Sequence, residues 1–522
     1  MKKGLSLGLL FATVLAIGLR CPGLAERPMH NDEAVNAIKF GQLWEHGQYK
    51  YDPNEHHGPT LYYATLAVAR LTSSPDFEHL TEIKLRLITV LFSLGLILFL
   101  PLLCDGLGKT ALVWGAILTA VSPAMVFYGR YYIHEMLLVL FTFVALAAGW
   151  RYWQSRKIGW AILLGANVGL MYATKETFII TLAAAALALG INEIWNRLLD
   201  AAGRPVRACT LNWKHSLVAI AVCLFVACLL FSSFFSNPKG IIDSIRTYEP
   251  WLHRAEGSSP HIHPWYFYFH RLIFFHLHDG PIWTEGLILI LGLIGIWVGF
   301  AHKGLTEGSA SLVRFLALYT VFLTAAYCLI PYKTPWCLLN FWHGMILLAG
   351  VGASALLRLT KRPWAKIALS LLLLAGAMQL GGQARQAAVP FTSDPKNPYV
   401  YAQTSPNILE LVDRVKELAR VNPQGRQMLI KVMAPEAEYW PLPWYLREFK
   451  NVGWWAEIPQ DPFAPVMIVS SNFHAELDEK KSHLMTGLFQ LRPGEFFELY
   501  VEIDLWKAYL EKIPAEQRKQ ER

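Results

Sequence analysis

Charge is scarce in this chain: Asp, Glu, Lys and Arg make up only 16% of its 522 residues, against 54% hydrophobic residues and a mean hydropathy of +0.31. That balance excludes an ordinary soluble protein of this length and fits a polypeptide that crosses a membrane many times. Cysteine is also sparse, with seven residues and none after Cys337, so a soluble domain built from the C-terminal residues does not rely on disulfides. No internal repeat is evident, which argues against the inverted-repeat architecture common among secondary transporters. No small-x-small cleavage pattern closely follows the first apolar run, MKKGLSLGLLFATVLAIGLRCP, and Arg20 before Cys21 argues against a lipoprotein-type site. The segment therefore reads as a retained first helix.

Hydrophobic sequence is what the chain has in quantity. A spanning helix takes roughly 20 mostly apolar residues. About eleven segments qualify: 4–20, 83–103, 110–127, 135–150, 158–174, 177–191, 215–235, 284–301, 313–330, 337–356 and 364–382, the third, fifth and sixth being short. Lys and Arg accumulate on cytoplasmic loops. With the N-terminus cytoplasmic, the inner loops hold Lys2, Lys3, Arg151, Arg156, Lys157, Arg197, Arg204, Arg207, Lys214, Arg358, Lys361, Arg362 and Lys366. The opposite short loops hold one cation each, Arg130, Lys175 and Lys333. This asymmetry explains the net charge of +8 without nucleic acid. The fold class expected is mainly α: a multi-pass protein of the cell (inner) membrane, with a transmembrane domain over 1–382 and long outer loops at 21–80 and 236–283.

Residues 383–522 have the composition of a soluble, extracytoplasmic α/β domain. Ser405 can cap a helix with Pro406 at its first position, and Ile408, Leu409, Leu411, Val412, Val415 and Leu418 line one helical face. MLIKVM (428–433) and PVMIVSS (465–471) read as buried strands, separated by a helix-like segment ending in WYLREF. In the first outer loop, Ala34–Trp44 is amphipathic enough to lie along the membrane interface.

Six clusters of ionisable residues stand at the ends of apolar segments, and this topology puts all six on the outer side. They are His30-Asn31-Asp32-Glu33, DPNEHHGP (52–59, including His57), RYYIHE (130–135), Lys175-Glu176, the histidine-rich stretch His253 to His278, and Lys333. Ionisable groups beside hydrocarbon are costly and tend to mark function, so a single site is expected. Adjacent carboxylates on a helix project about 100° apart. One of Asp32 and Glu33 can therefore face a reacting atom as general base, while the competing reading is a helix cap and dipole partner. Arg130, Lys175 and Lys333 suit a phosphate or diphosphate on a lipid carrier. The competing reading is mutual neutralisation, Lys175 with Glu176 and Arg130 with Glu135. His261-x-His263 and His276-x-His278 lack a recognised metal-ligand spacing. A hard divalent cation, Mg or Mn, is better suited to Asp32 and Glu135.

MHNDEA after the first helix, GRYYIHE, ATKET and YKTPW together resemble the GT-C superfamily of polyprenyl-phosphate-sugar-dependent glycosyltransferases. That superfamily includes the protein O-mannosyltransferases and the lipid A aminoarabinose transferase. Within it the chain is most similar to a prokaryotic family designated flippase-activity-associated, and WPLPWYLREF extends the likeness into the C-terminal domain. The resemblance implies transfer of a sugar from a polyprenyl-phosphate-linked donor to a glycan, lipid or protein acceptor, in contact with membrane lipids. It matches Asp32 to the catalytic acidic residue, with Glu33 beside it, and Glu135 to an acidic residue five positions after an arginine, here Arg130. His30, His57, Arg130, Lys175, Glu176 and Lys333 are the expected substrate contacts. Displacement by direct attack inverts the anomeric centre. Two other classes remain open at this point: a transporter or flippase-associated protein for lipid-linked sugars, and a non-catalytic protein that only binds them. Transport predicts charges near mid-membrane, whereas here they gather at one surface.

Overall fold

A computed structural model describes residues 3–54, 57–201, 212–256, 261–301, 304–305 and 307–512. Glu55, His56, Arg204, Arg207 and the side chain of His253 lie outside what is described. The chain splits into two compact units. The first comprises residues 1–24, 42–73 and 83–401, the second residues 25–41, 74–82 and 402–522. Two pieces of the first long loop thus fold with the C-terminal residues, an organisation absent from a division at 382/383.

The first unit is a bundle of apolar helices. Among the described residues, eight are long and apolar enough to cross a membrane: Lys3–Arg20, Glu82–Leu107, Glu135–Ser155, Phe178–Leu199, Trp213–Phe231, Ala310–Leu329, Pro335–Leu359 and Pro363–Ala388. Three shorter apolar helices, Lys109–Val121, Ile158–Tyr172 and Gly286–Ala301, occupy the other expected segments. The sixth segment, expected to be short, is one of the long ones, because its helix runs on through the polar residues to Leu199. The eighth is short instead, since Thr284-Glu285 stand outside its helix.

Burial separates a centre from a periphery. Pro335–Leu359 is 94% buried over its apolar stretch, whereas Trp213–Phe231 is only 11% buried. An apolar helix whose sides stay open within its own unit has hydrocarbon as its natural solvent. Close approach relies on glycine at chosen positions. A Cβ on Gly295 would lie 2.0 Å from the Leu348 carbonyl oxygen, and one on Gly350 would lie 2.3 Å from that of Ala111. Small residues let helix backbones meet in this way where lipid supplies no hydrophobic drive.

The second unit carries one five-stranded sheet in the order β2-β1-β3-β5-β4. Its strands are β1 (Ile430–Met433), β2 (Val452–Trp455), β3 (Val466–Ser470), β4 (His483–Arg492) and β5 (Glu495–Glu502). β1 is parallel to β2 and β3, and β5 is antiparallel to β3 and β4. β1 and β3 are buried throughout, as central strands covered on both faces are, and they coincide with the two expected strands. β2 follows the expected helix-like segment ending in WYLREF and lies between the two expected strands. The β4–β5 hairpin turns through Gly494 at φ +88°, a conformation open to glycine without strain. The helix Asn407–Val421 buries Ile408, Leu411, Val412, Val415 and Leu418, with Leu409 half-buried. Ser405 Oγ accepts from the Asn407 backbone N–H at 3.3 Å, so the helix begins one residue later than expected.

Candidate functional site

The second unit resolves the Asp32-Glu33 pair. The helix Asn31–His46 starts with a reciprocal cap. His30 Nδ1 accepts from the Asp32 backbone N–H at 3.1 Å, and Glu33 Oε2 accepts from the His30 backbone N–H at 2.9 Å. This is a capping box with imidazole in place of a hydroxyl. The other Glu33 oxygen pairs with Arg27 Nη2 at 2.8 Å, and the Glu33 side chain is 0% exposed. Asp32 is 43% exposed; its nearest cationic candidate, His30 Nδ1 at 4.0 Å, is the nitrogen already accepting its backbone N–H. The cap reading therefore falls on His30 and Glu33, and Asp32 is the carboxylate left open among the described residues.

The first unit brings most of the other expected residues together around the loop 173–177. Gly58 and Thr60 donate their backbone N–H groups to Thr174 and Ala173 carbonyls, both at 3.1 Å, which draws residues 57–60 onto that loop. Only glycine fits at 58, where a Cβ would lie 2.2 Å from the Ala173 oxygen. His57 Nδ1 then meets Glu176 Oε2 at 2.8 Å. His134 Nε2 lies 3.0 Å from the Gly58 carbonyl oxygen, and its ring stands edge-on to His57 with centroids 5.3 Å apart. Glu176 is buried; burial favours its neutral acid, yet the His57 contact outweighs this and holds the carboxyl below its ordinary range. Lys175 is buried against Glu135 in an ion pair. Burial alone pulls its pKa down, but Glu135 and then Cys337 carry it above the usual lysine value.

Neutralisation occurs, though between other partners than the adjacent ones. Lys175 pairs with Glu135 instead of Glu176, and Glu176 pairs with His57. Arg130 donates from Nη1 to the Pro22 carbonyl at 2.6 Å and from Nη2 to that of Gly23 at 3.0 Å, in place of the expected pairing with Glu135. Lys333 Nζ donates to the carbonyls of Ile330 and His263, the latter at 3.0 Å, and a bridge of Ile262 to Tyr332 fixes the same two loops. Of the six clusters, the one at 30–33 belongs to the second unit and those at 52–59, 130–135, 175–176, 261–278 and 333 belong to the first.

The histidine-rich stretch holds a residue that the pattern of motifs missed. Arg271 lies over the Phe267 ring, 3.7 Å from its centroid, and its buried Nε has no hydrogen-bond partner among the described residues. No carboxylate pairs with it there, and burial lowers its pKa despite Tyr128, Tyr401 and Tyr268 nearby. His263 is held below its usual range by burial, then by Arg271, His261 and Lys333. The Tyr401 hydroxyl bridges His261 Nδ1 at 2.7 Å and His263 Nε2 at 3.0 Å. Tyr128 is within electrostatic range of both Arg271 and Glu135.

Glu285 was also overlooked, although an acidic residue at the head of an apolar run carries the signal that singled out the six clusters. It is fully buried and accepts from Ser122 Oγ at 2.5 Å, the Ala124 N–H at 2.9 Å, Trp342 Nε1 at 2.9 Å and the Tyr399 hydroxyl at 2.7 Å. Four donors from separated segments make it a structural tie. Among the described residues, no group of three or more His, Cys, Asp or Glu side chains stands together as a metal site. Glu135, one half of the pair expected to hold Mg or Mn, is occupied by Lys175.

Comparison with solved structures matches ArnT from Cupriavidus metallidurans in its apo state, at 13% identity and a TM-score of 0.62. The match covers 95% of this chain and 97% of ArnT. This is the GT-C fold. The same ArnT bound to undecaprenyl phosphate matches at 14% identity and a TM-score of 0.58, covering 97% and 99% of the two chains. The Archaeoglobus fulgidus oligosaccharyltransferase, tethered to an acceptor peptide, matches at 13% identity and a TM-score of 0.58 over 88% of this chain. The chain spans only 64% of that enzyme's length. A family model described as dolichyl-phosphate-mannose-protein mannosyltransferase matches residues 56–231, a stretch holding His57, Arg130, Glu135, Lys175 and Glu176 but not Asp32, Arg271 or Lys333. Among curated proteins, none matches the chain.

Proposed function

We propose that this protein is a membrane glycosyltransferase that moves a sugar from a polyprenyl-phosphate carrier to an acceptor hydroxyl. The observation that carries the reading is Arg271: a guanidinium with a buried Nε and no hydrogen bond or carboxylate among the described residues, in a chain with the GT-C fold. A buried guanidinium nitrogen without a hydrogen-bond partner is costly, and a phosphate that makes charge-assisted hydrogen bonds to the guanidinium relieves that cost. ArnT of this fold binds undecaprenyl phosphate, which supports a lipid phosphate as the anion. The match over 56–231 favours a protein-mannosyltransferase-like donor, mannose on a dolichyl-type carrier.

The base is assigned to Asp32, because Glu33 is committed to Arg27 and to the helix start. Asp32 takes the proton of the acceptor hydroxyl as its oxygen attacks the anomeric carbon, and the configuration inverts. Asp32 is also the carboxylate open to a divalent cation such as Mg or Mn. The basic-loop asymmetry supports an N-terminus in the cytoplasm and residues 383–522 outside the cell membrane. The acceptor belongs to a glycan, lipid or protein of the outer surface.

Mass spectrometry of surface glycans from cells with and without the protein tests the activity. One sugar is expected to disappear with the protein, and identical glycans from cells shown to produce it would overturn the reading. Protease added to sealed right-side-out vesicles is expected to remove the C-terminal unit; full protection in intact vesicles would reverse the orientation.

A further inference from the structure

His57 and Glu176 form a pair that the roles above leave unused. The Glu176 side chain is buried, and its Oε2 lies 2.8 Å from Nδ1 of a ring that is 41% exposed. The other ring nitrogen, Nε2, has no hydrogen bond among the described residues. A carboxylate on one imidazole nitrogen fixes the ring and its tautomer and leaves the other nitrogen to exchange a proton outside. The backbone bonds from Gly58 and Thr60 to the carbonyls of Thr174 and Ala173 tie together the two segments that carry this pair.

The position favours a ligand carried by lipid. The loop 173–177 leads directly into Phe178–Leu199, a span only 22% buried over its apolar stretch, with Ile179, Leu187 and Leu189 exposed along it. A group anchored in hydrocarbon can travel along such a face to the loop without leaving the membrane. The neighbouring cation Lys175 is already committed to Glu135, so His57 is the polar group at this loop with a donor to offer.

We propose that His57, oriented by Glu176, donates its Nε2–H to a phosphate oxygen of the lipid carrier as the carrier leaves; this rests on the polyprenyl-phosphate reading. When the sugar C1–O bond breaks, its electron pair passes to the phosphate oxygen, and a phosphodiester monoanion becomes a monoester dianion. The acceptor oxygen takes the bond to C1 and its proton goes to the general base. A cationic donor therefore binds the departing phosphate more strongly than the donor lipid, which is the differential binding that accelerates a step. Phosphate monoesters complete their second ionisation near pH 6, and histidine changes charge between about pH 5 and 8, so the contact is strongest where both charges coexist. His57 is then a catalytic residue and Glu176 a positioning residue.

Other titratable groups near the pair must be told apart from it. His134 packs on the His57 ring, and the Tyr49 hydroxyl reaches the His57 carbonyl at 3.5 Å. Lys175, Tyr51, Tyr62 and Tyr248 lie within electrostatic range of Glu176. Glu55 and His56 precede His57 outside the described residues.

The test is binding of undecaprenyl phosphate to the purified full-length protein in detergent at pH 6.5 and 8.5, with melting temperatures recorded alongside. Wild-type affinity is expected to weaken about tenfold between the two. His57→Gln is expected to bind at least about tenfold more weakly than wild type at pH 6.5, the scale of a charge-assisted hydrogen bond, and to match it at pH 8.5. Glu176→Gln is expected to lose most of the same pH dependence. Wild-type affinity that holds constant from pH 6.5 to 8.5 overturns the proposal even where the variants fail to fold. Parallel curves for wild type and His57→Gln overturn it while leaving the carrier reading intact, whereas a wild type that binds no undecaprenyl phosphate removes both. A Glu176→Gln variant with a lowered melting temperature and an unmoved pH dependence removes Glu176 from the assignment.

Discussion

The helix start at 30–33 and the loop at 173–177 make the same separation with different chemistry. In each, two ionisable residues are adjacent in sequence. At the helix start, Glu33 is sealed against Arg27 and closes the cap, which leaves its neighbour Asp32 half-exposed. In the loop, Lys175 is sealed against Glu135, while its neighbour Glu176 turns to His57 and presents a half-exposed imidazole. Adjacent residues point in different directions, so one of each pair is sealed in an ion pair while the other leads to an exposed group. The difference lies in what is presented: an open carboxylate suited to accept a proton, against a carboxylate-backed imidazole suited to donate one.

The sharpest way to break this comparison is at the helix start. Asp32→Asn is expected to lower sugar transfer by about 10²- to 10⁴-fold, the contribution of a general base, with little change in melting temperature. Glu33→Gln is expected to do the reverse, costing roughly 3–5 kcal/mol of stability by leaving Arg27 buried without its anion. Transfer assays and thermal denaturation on the same preparations check both, and a swap of the two phenotypes would exchange the assigned roles.

In the loop, Lys175→Met is expected to destabilise by roughly 3–5 kcal/mol because Glu135 stays buried and uncompensated. Adding Glu135→Gln is expected to recover much of that loss, a coupling that a double-mutant cycle in thermal stability measures. Additive losses would mean the two side chains do not act as a pair.

Arg271 supplies the contrasting case of a cation with no carboxylate partner among the described residues. Arg271→Gln is expected to weaken polyprenyl-phosphate binding by roughly 1.5–3 kcal/mol with no loss of stability. Lys333→Met, which frees the Ile330 and His263 carbonyls, is expected to lower stability more than affinity. Isothermal binding measured beside melting temperature separates the two.

The smallest expected effect is on pH. Glu176 is held below its ordinary 4.5 in the folded protein, since His57 outweighs the opposing effect of burial. A depressed carboxyl contributes stability that is fully present above its unfolded value and is lost as pH falls through the folded one. Lys175, held above its ordinary value, contributes in full below 10.5. Melting temperature is therefore expected to be flat with respect to these two groups between about pH 5 and 10 and to decline on acidification below that, less steeply in Glu176→Gln.

Much of the molecule is local and therefore legible from sequence. Long apolar runs, Lys and Arg on alternate loops, the helix at 407–421 and the two buried strands each arise within a short window, since hydrophobic burial and backbone hydrogen bonding act over neighbouring residues. The motifs around Asp32, Arg130, Glu135, Lys175 and Lys333 stand out for the same reason, as ionisable groups beside hydrocarbon. Hairpin β4–β5 was also within reach, with Gly494 at its turn. What only the tertiary structure decided is which charge answers which. Lys175 takes Glu135 from forty residues away over the Glu176 beside it, Arg130 donates to carbonyls at 22 and 23, and Arg271 meets no carboxylate among the described residues. The reason is geometric: a charge pair forms between side chains that meet within a few ångströms, and which helix ends meet depends on how the whole bundle packs, including close approaches such as Gly58 against Ala173.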